Sequence, residues 1–292
     1  MTAVQELGLA GPPGLTEIRT PDQMEGPMMT RTRLRRSVSF LIAMLAIVSF
    51  NQLSAQPKHA PTVTNIVLVH GAWADGSSWS RVIPLLEARH FHVIAVQLPL
   101  TSLVDDVATT KRAIARITTE QPGPVLLVGH SYGGVVIGEA GNDPNVVGLV
   151  YVAAFAPDQG ESALSLLQGA ETPSPLGNHL VVDASGFFTI DQTGVEEDFA
   201  QCLPEGERRI LAVTQGQTSG AALTGVATSP AWRTKPSWFI VANRDRSVPP
   251  DLEQAMAARI SAHSIALKTC HVAMLDLPFK VADVIAAAAG EE

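Results

Sequence analysis

The sequence predicts an α/β protein: a doubly wound, mostly parallel sheet with helices on both faces and an inserted, mainly helical cap. Three observations predict it. From Asn65 onward, short apolar runs alternate with longer amphipathic stretches. The runs are β-branched and continuous, without the polar alternation of a half-exposed strand, as parallel strands covered on both faces require. Composition agrees, since a chain 46% hydrophobic but only 5% aromatic suits a sheet clad in small-residue helices better than an aromatic-rich β-sandwich. At 292 residues the chain is long enough for one well-buried domain with additions.

In chain order, residues 1–55 read as an upstream extension followed by a signal peptide. Arg31, Arg33, Arg35 and Arg36 precede the apolar run Phe40–Phe50, and Leu53-Ser54-Ala55 resembles a cleavage site before Gln56. The polar stretch ahead of these arginines suggests that the signal begins at Met28 or Met29, so it occupies about 28–55. The apolar run falls short of the roughly 20 residues that a permanent span needs, so no stable membrane anchor is expected. The expected location is periplasmic or secreted. The strand runs are Ile66–Val69, Val93–Val96, Val125–Val128, Val147–Val152 and Trp238–Val241, with a weaker one at Ser264–Leu267. Helical stretches lie near Trp79–Arg89, Val104–Thr118, Tyr132–Ala140, Leu252–Ile260 and Phe279–Ala289. The core is thus expected over 56–156 and 233–292. Between them, 157–232 is rich in Gly, Pro, Ser, Thr and Gln, with short helical pieces at Ser162–Leu167 and Glu205–Val213. A hairpin is expected about Ala184-Ser185-Gly186. An insertion of that length in a compact domain is a lid or binding element rather than idle loop.

The net charge of −8 is spread along the chain, and no basic stretch follows its first quarter, which speaks against nucleic-acid binding. Two cysteines, Cys202 and Cys270, allow one bridge at most, and whether they pair depends on their separation in space. No Cys/His cluster has zinc-ligand spacing, and neither a metal nor a cofactor is expected.

The chemistry is marked by Gly129-His130-Ser131-Tyr132-Gly133, directly after the run Val125–Val128 and before a helical stretch. A G-x-S-x-G turn between strand and helix exposes the serine hydroxyl at a cramped bend whose neighbours must lack side chains. A serine hydroxyl is a weak nucleophile without a base, and of the eight histidines only His271 lies between the last strand run and the last helix. The imidazole needs a carboxylate to fix its tautomer. Asp245, just beyond Trp238–Val241, completes the order Ser…Asp…His. Asp251, read as a helix cap, and Asp276, which follows the histidine, are its rivals. Ala72, in His70-Gly71-Ala72-Trp73 after the first strand, and Tyr132 after the serine are placed to offer backbone N–H groups to an oxyanion. Trp73, Phe155, Phe187 and Phe188 are candidates for a substrate pocket, with plain packing the alternative. For Trp79 packing is preferred.

These blocks, together with Val82–Glu87, Val152–Asp158 and His271–Leu275, resemble the plant methyl-ester esterase and hydroxynitrile lyase branch of the α/β hydrolases and the bacterial esterases that share it. The resemblance spans nearly all of 64–290 and is weakest in the cap. It implies a six-stranded parallel sheet, an inserted cap, a triad of Ser131, Asp245 and His271, and oxyanion donors at Ala72 and Tyr132. Lyases of that branch place a lysine after the histidine and a cysteine after the serine, where this chain has Val272 and Tyr132. Ester hydrolysis is therefore expected rather than cyanohydrin cleavage, on small to medium carboxylic esters. The alternatives are lactone or amide hydrolysis on the same residues, or a ligand receptor with slow turnover.

Overall fold

The computed structural model describes residues 63–291; the expected signal peptide at 28–55 lies outside them. The apolar runs become β1 (Asn65–Val69), β2 (His92–Ala95), β3 (Val125–His130) and β4 (Val146–Val152), and then β8 (Ser237–Ala242) and β9 (His263–Leu267). They form one six-stranded parallel sheet in the order β2-β1-β3-β4-β8-β9. Alternation along each strand divides the core into two layers. Val67, Val69 and Leu127 pack with Ile114, Val136 and Met256 on one face, while Ile66, Leu68 and Leu126 pack with Leu86, Val281 and Ile285 on the other. The helices Leu103–Glu120, Gly133–Ala140 and Pro250–Arg259 supply the first layer, and Ile83–Glu87 and Pro278–Ala288 the second.

Two expectations are corrected. The helix expected over Trp79–Arg89 is split into a 3-10 turn, Gly76–Trp79, and the helix Ile83–Glu87. Pro84 sits at the start of the second piece and has no N–H with which to continue a preceding helix. Two-sided cover also fails at β9, where His263 through Ala266 are exposed, because this edge strand pairs with β8 alone. Trp79 is wholly buried, as packing requires.

Between β4 and β8 the chain forms the helix Ala163–Gln168, the strands β5 (Leu180–Val182), β6 (Phe187–Ile190) and β7 (Thr218–Ser219), and the helix Glu205–Thr214. Ser162 and Ser165 close a reciprocal capping box on the first helix. β5 and β6 pair antiparallel across the expected turn, where Asp183 Oδ1 accepts the N–H groups of Ser185 and Phe187 and Gly186 takes φ 81°. Trp73 ties this region to the first strand loop: its indole Nε1 donates to the Phe188 carbonyl at 3.0 Å and its backbone N–H to Thr218 Oγ1 at 3.0 Å. Cys202 and Cys270 are joined in a disulfide with Cα atoms 5.7 Å apart. Among the described residues no helix is long and apolar enough to cross a membrane.

Candidate active site

The carboxyl ends of the parallel strands deliver the candidate residues, as expected for an open α/β sheet. Ser131 lies one residue beyond β3 with φ 53°, in the left-handed region that a side chain rarely adopts. The glycines around it are dictated by close approach. A Cβ at Gly129 would stand 2.6 Å from the Gly133 carbonyl oxygen, and one at Gly133 2.6 Å from that of Val69. Gly71 is equally confined, since a Cβ there would stand 2.7 Å from the Ser131 Cβ.

Asp245 follows β8, and His271 follows β9; they are 5% and 1% exposed. His271 Nδ1 donates to Asp245 Oδ2 at 2.6 Å. The other carboxylate oxygen, Oδ1, accepts the N–H groups of Ser247 at 2.7 Å and Val248 at 2.9 Å. These three hydrogen bonds fix the carboxylate and leave His271 Nε2 as the free ring nitrogen. On the far side of the imidazole, His130 Nε2 donates to the His271 carbonyl at 3.0 Å. Burial, and then the neighbouring His271 charge, hold His130 well below the ordinary histidine range. His70 is likewise lowered by burial, and its Nε2 accepts the Leu98 N–H at 2.9 Å. Both are thus structural, neutral rings, and His271 alone among these three lines the cavity.

Behind Asp245 lies Glu253, wholly buried on the helix Pro250–Arg259. Its Oε2 accepts the Ala242 N–H at 3.0 Å. Burial, reinforced by the Asp245 charge, raises this carboxyl well above the ordinary range. Asp276 turns away and accepts Thr269 Oγ1 at 2.7 Å, and Asp251 occupies the first turn of its helix rather than the cap.

The N–H groups of Ala72 and Tyr132 have no acceptor within the protein among the described residues, and both residues line the same cavity as Ser131 and His271. Tyr132 is held from its far end, where its phenol donates to Asp106 Oδ2 at 2.8 Å while Asp106 Oδ1 accepts the Leu100 N–H at 2.9 Å. Burial pushes Asp106 up, and burial then the Asp106 charge push the phenol up, and the pair forms a buried, hydrogen-bonded anchor. No sequence signal marked Asp106, because its partner lies on another element.

The cavity holds about 400 Å³. Trp73 and Phe155 line it, but Phe187 and Phe188 do not: β6 is engaged with β5, β7 and the Trp73 indole instead. In their place stand Leu164, Leu167, Leu176, Leu180 and Leu223, with Gln168, Ser174 and Ser247 as polar points. These escaped sequence reading because they lie on separate short elements, among them the helix Ala163–Gln168 and β5, whose convergence on one cavity carries no sequence period. No Asp, Glu, Lys or Arg lines the cavity.

Comparison with known proteins places the fold. The alpha/beta hydrolase family model matches residues 66–284. An alpha/beta hydrolase of Aspergillus novofumigatus is 25% identical over 246 residues, covering 77% of this chain and 96% of that protein. Methylesterase 8 of Arabidopsis thaliana is 31% identical over 150 residues, 47% of this chain and 53% of that one. The crystal structure of a pyrethroid hydrolase from Sphingobium faniae shares the fold with a TM-score of 0.64 at 24% identity, over 78% of this chain and 98% of that one.

Proposed function

The chain belongs to the alpha/beta hydrolase family, and from that premise we propose that it is a serine esterase acting on small to medium, uncharged carboxylic esters. The observation that carries the reading is the short His271–Asp245 hydrogen bond, with His271 and Ser131 opening on one apolar cavity. Ser131 Oγ attacks the ester carbonyl as His271 Nε2 takes its proton. The oxyanion is met by the N–H groups of Ala72 and Tyr132. His271 returns the proton to the departing alcohol, and a water then follows the same route to release the acid and restore the serine. Asp245 holds the Nδ1–H tautomer and stabilises the imidazolium.

The substrate class rests on the lining. A cavity walled by leucines, Trp73 and Phe155, without a charged carboxylate or cation, favours apolar groups on both sides of the ester. The names of relatives agree, among them a carbendazim hydrolyzing esterase and a pyrethroid hydrolase. The residues between β4 and β8 act as the cap over this cavity. The Cys202–Cys270 disulfide suits an oxidising compartment, which supports reading 28–55 as an export signal. Hydrolysis of p-nitrophenyl butyrate tests the proposal. Ser131→Ala should lower kcat by about 10⁴-fold or more, and unchanged turnover removes the assignment.

A further inference from the structure

Cys270 directly precedes His271, and its partner Cys202 lies 68 residues earlier in the insertion. The disulfide is one of several contacts made by the same short segment. Phe199 packs its ring on the His271 imidazole, centroids 5.2 Å apart. Gln201 Nε2 donates to the Arg244 carbonyl at 2.8 Å. The Asp198 carbonyl accepts Ser247 Oγ at 2.9 Å, and its buried carboxylate accepts Arg246 Nε at 2.5 Å. Residues 198–202 thus grip both the loop that carries Asp245 and the loop that carries His271.

We infer that Asp198–Cys202 is a brace that holds His271 against Asp245, with the Cys202–Cys270 disulfide as its covalent anchor; the inference rests on the triad proposed above. These side chains act through Asp245 and His271 and not on the substrate, so they are positioning residues. The fold creates the need. His271 leaves the sheet after β9, which pairs on one side only, so no further strand supports its loop. His130 secures the His271 carbonyl from the side of β3, and the brace closes the opposite side. The segment begins in a π-helical turn, Val195–Phe199, where the Ala200 N–H reaches back to the Val195 carbonyl at 2.9 Å. Such turns recur where a side chain must be re-aimed at a functional site. Covalent attachment restricts the loop in every state, while the ring and the hydrogen bonds set its orientation.

The test compares the full chain with its Cys202→Ser/Cys270→Ser double variant and with Gln201→Ala. Two readouts are needed at a temperature where circular dichroism shows both folded: ester kcat and KM, and the downfield proton resonance of the His271–Asp245 hydrogen bond. The brace predicts a fall in kcat of about tenfold or more, with KM within about twofold, for the double variant. It also predicts loss or broadening of the downfield proton, with Gln201→Ala intermediate. Should the double variant not fold, native protein reduced with dithiothreitol is read in the same two ways. A lowered Tm with kcat and resonance unchanged overturns the inference, since that is what a purely structural disulfide would give. If the unaltered protein hydrolyses no ester, the esterase reading fails separately, and the resonance still decides: its survival in the double variant overturns the brace, and its loss supports it.

Discussion

At Ser131 the backbone carries a conformation that costs about 1–3 kcal/mol in isolation, and glycines at 129 and 133 are what permit it. Such a position is legible in sequence because its constraint is local: two glycines, a preceding apolar run and a following helix all lie within a few residues. The partners of Ser131 are less local, and what marks them is chain order. Asp106 and Glu253 had neither signal. Both are buried carboxyls on helices whose relation to the site is decided by packing across the sheet. Tyr132→Phe strands Asp106 Oδ2 without its donor and should cost about 1–3 kcal/mol in urea unfolding. An unchanged unfolding midpoint would show that the anchor contributes nothing. Glu253 makes a pH prediction. Its folded pKa is raised, so the unfolded chain sheds that proton first and stability is lost progressively as pH rises from about 4.3 toward the folded value. Glu253→Gln removes this dependence, and its stability relative to the unaltered protein should improve between pH 5 and pH 8.

Among the elements, the inner strands β1, β3, β4 and β8 were readable because they are largely buried on both faces, which turns a strand into an uninterrupted apolar word, whereas the edge strand β2 is only half-buried. The opposite edge, β9, is weakly apolar because its side chains are exposed. The insertion was readable as a composition change, a hairpin and two short helices, expected at Ser162–Leu167 and Glu205–Val213 and formed as Ala163–Gln168 and Glu205–Thr214. Its leucines converge on the cavity through contacts distant in sequence, and Phe187 and Phe188, the more conspicuous residues, pack elsewhere. Helix Gly133–Ala140 shows how tightly an element is seated. Gly133→Ala would drive a Cβ into the Val69 and His70 carbonyl oxygens, at 2.6 and 2.7 Å, the end of β1 and the start of the loop that carries Ala72. Since backbone must move, the variant should lose about 1–3 kcal/mol or more and most of the proposed esterase activity, read by urea unfolding and turnover together. Full activity at wild-type stability would mean that the elbow is looser than described.

Over the whole molecule, two buried neutral histidines lie beneath the site. Their folded pKa values are lowered, so below about pH 6.5 the unfolded chain binds protons that the native state refuses, and stability falls as pH falls. Tm should therefore drop on acidification from pH 7 to pH 5.5, and less steeply in His130→Gln, which keeps a donor for the His271 carbonyl. Equal slopes in the two proteins would deny His130 this role. The larger design is a two-layer core that presents strand ends, and an insertion that supplies much of the cavity wall and, by the inference above, holds the proposed base. The central claim is that these parts converge to make Ser131 a nucleophile. It is tested most directly by treating the protein with a fluorophosphonate and locating the adduct by peptide mass spectrometry. A single adduct on Ser131, formed rapidly in the unaltered protein and far more slowly in His271→Ala, is the predicted result. No adduct at Ser131, or equal rates in the two proteins, would contradict it.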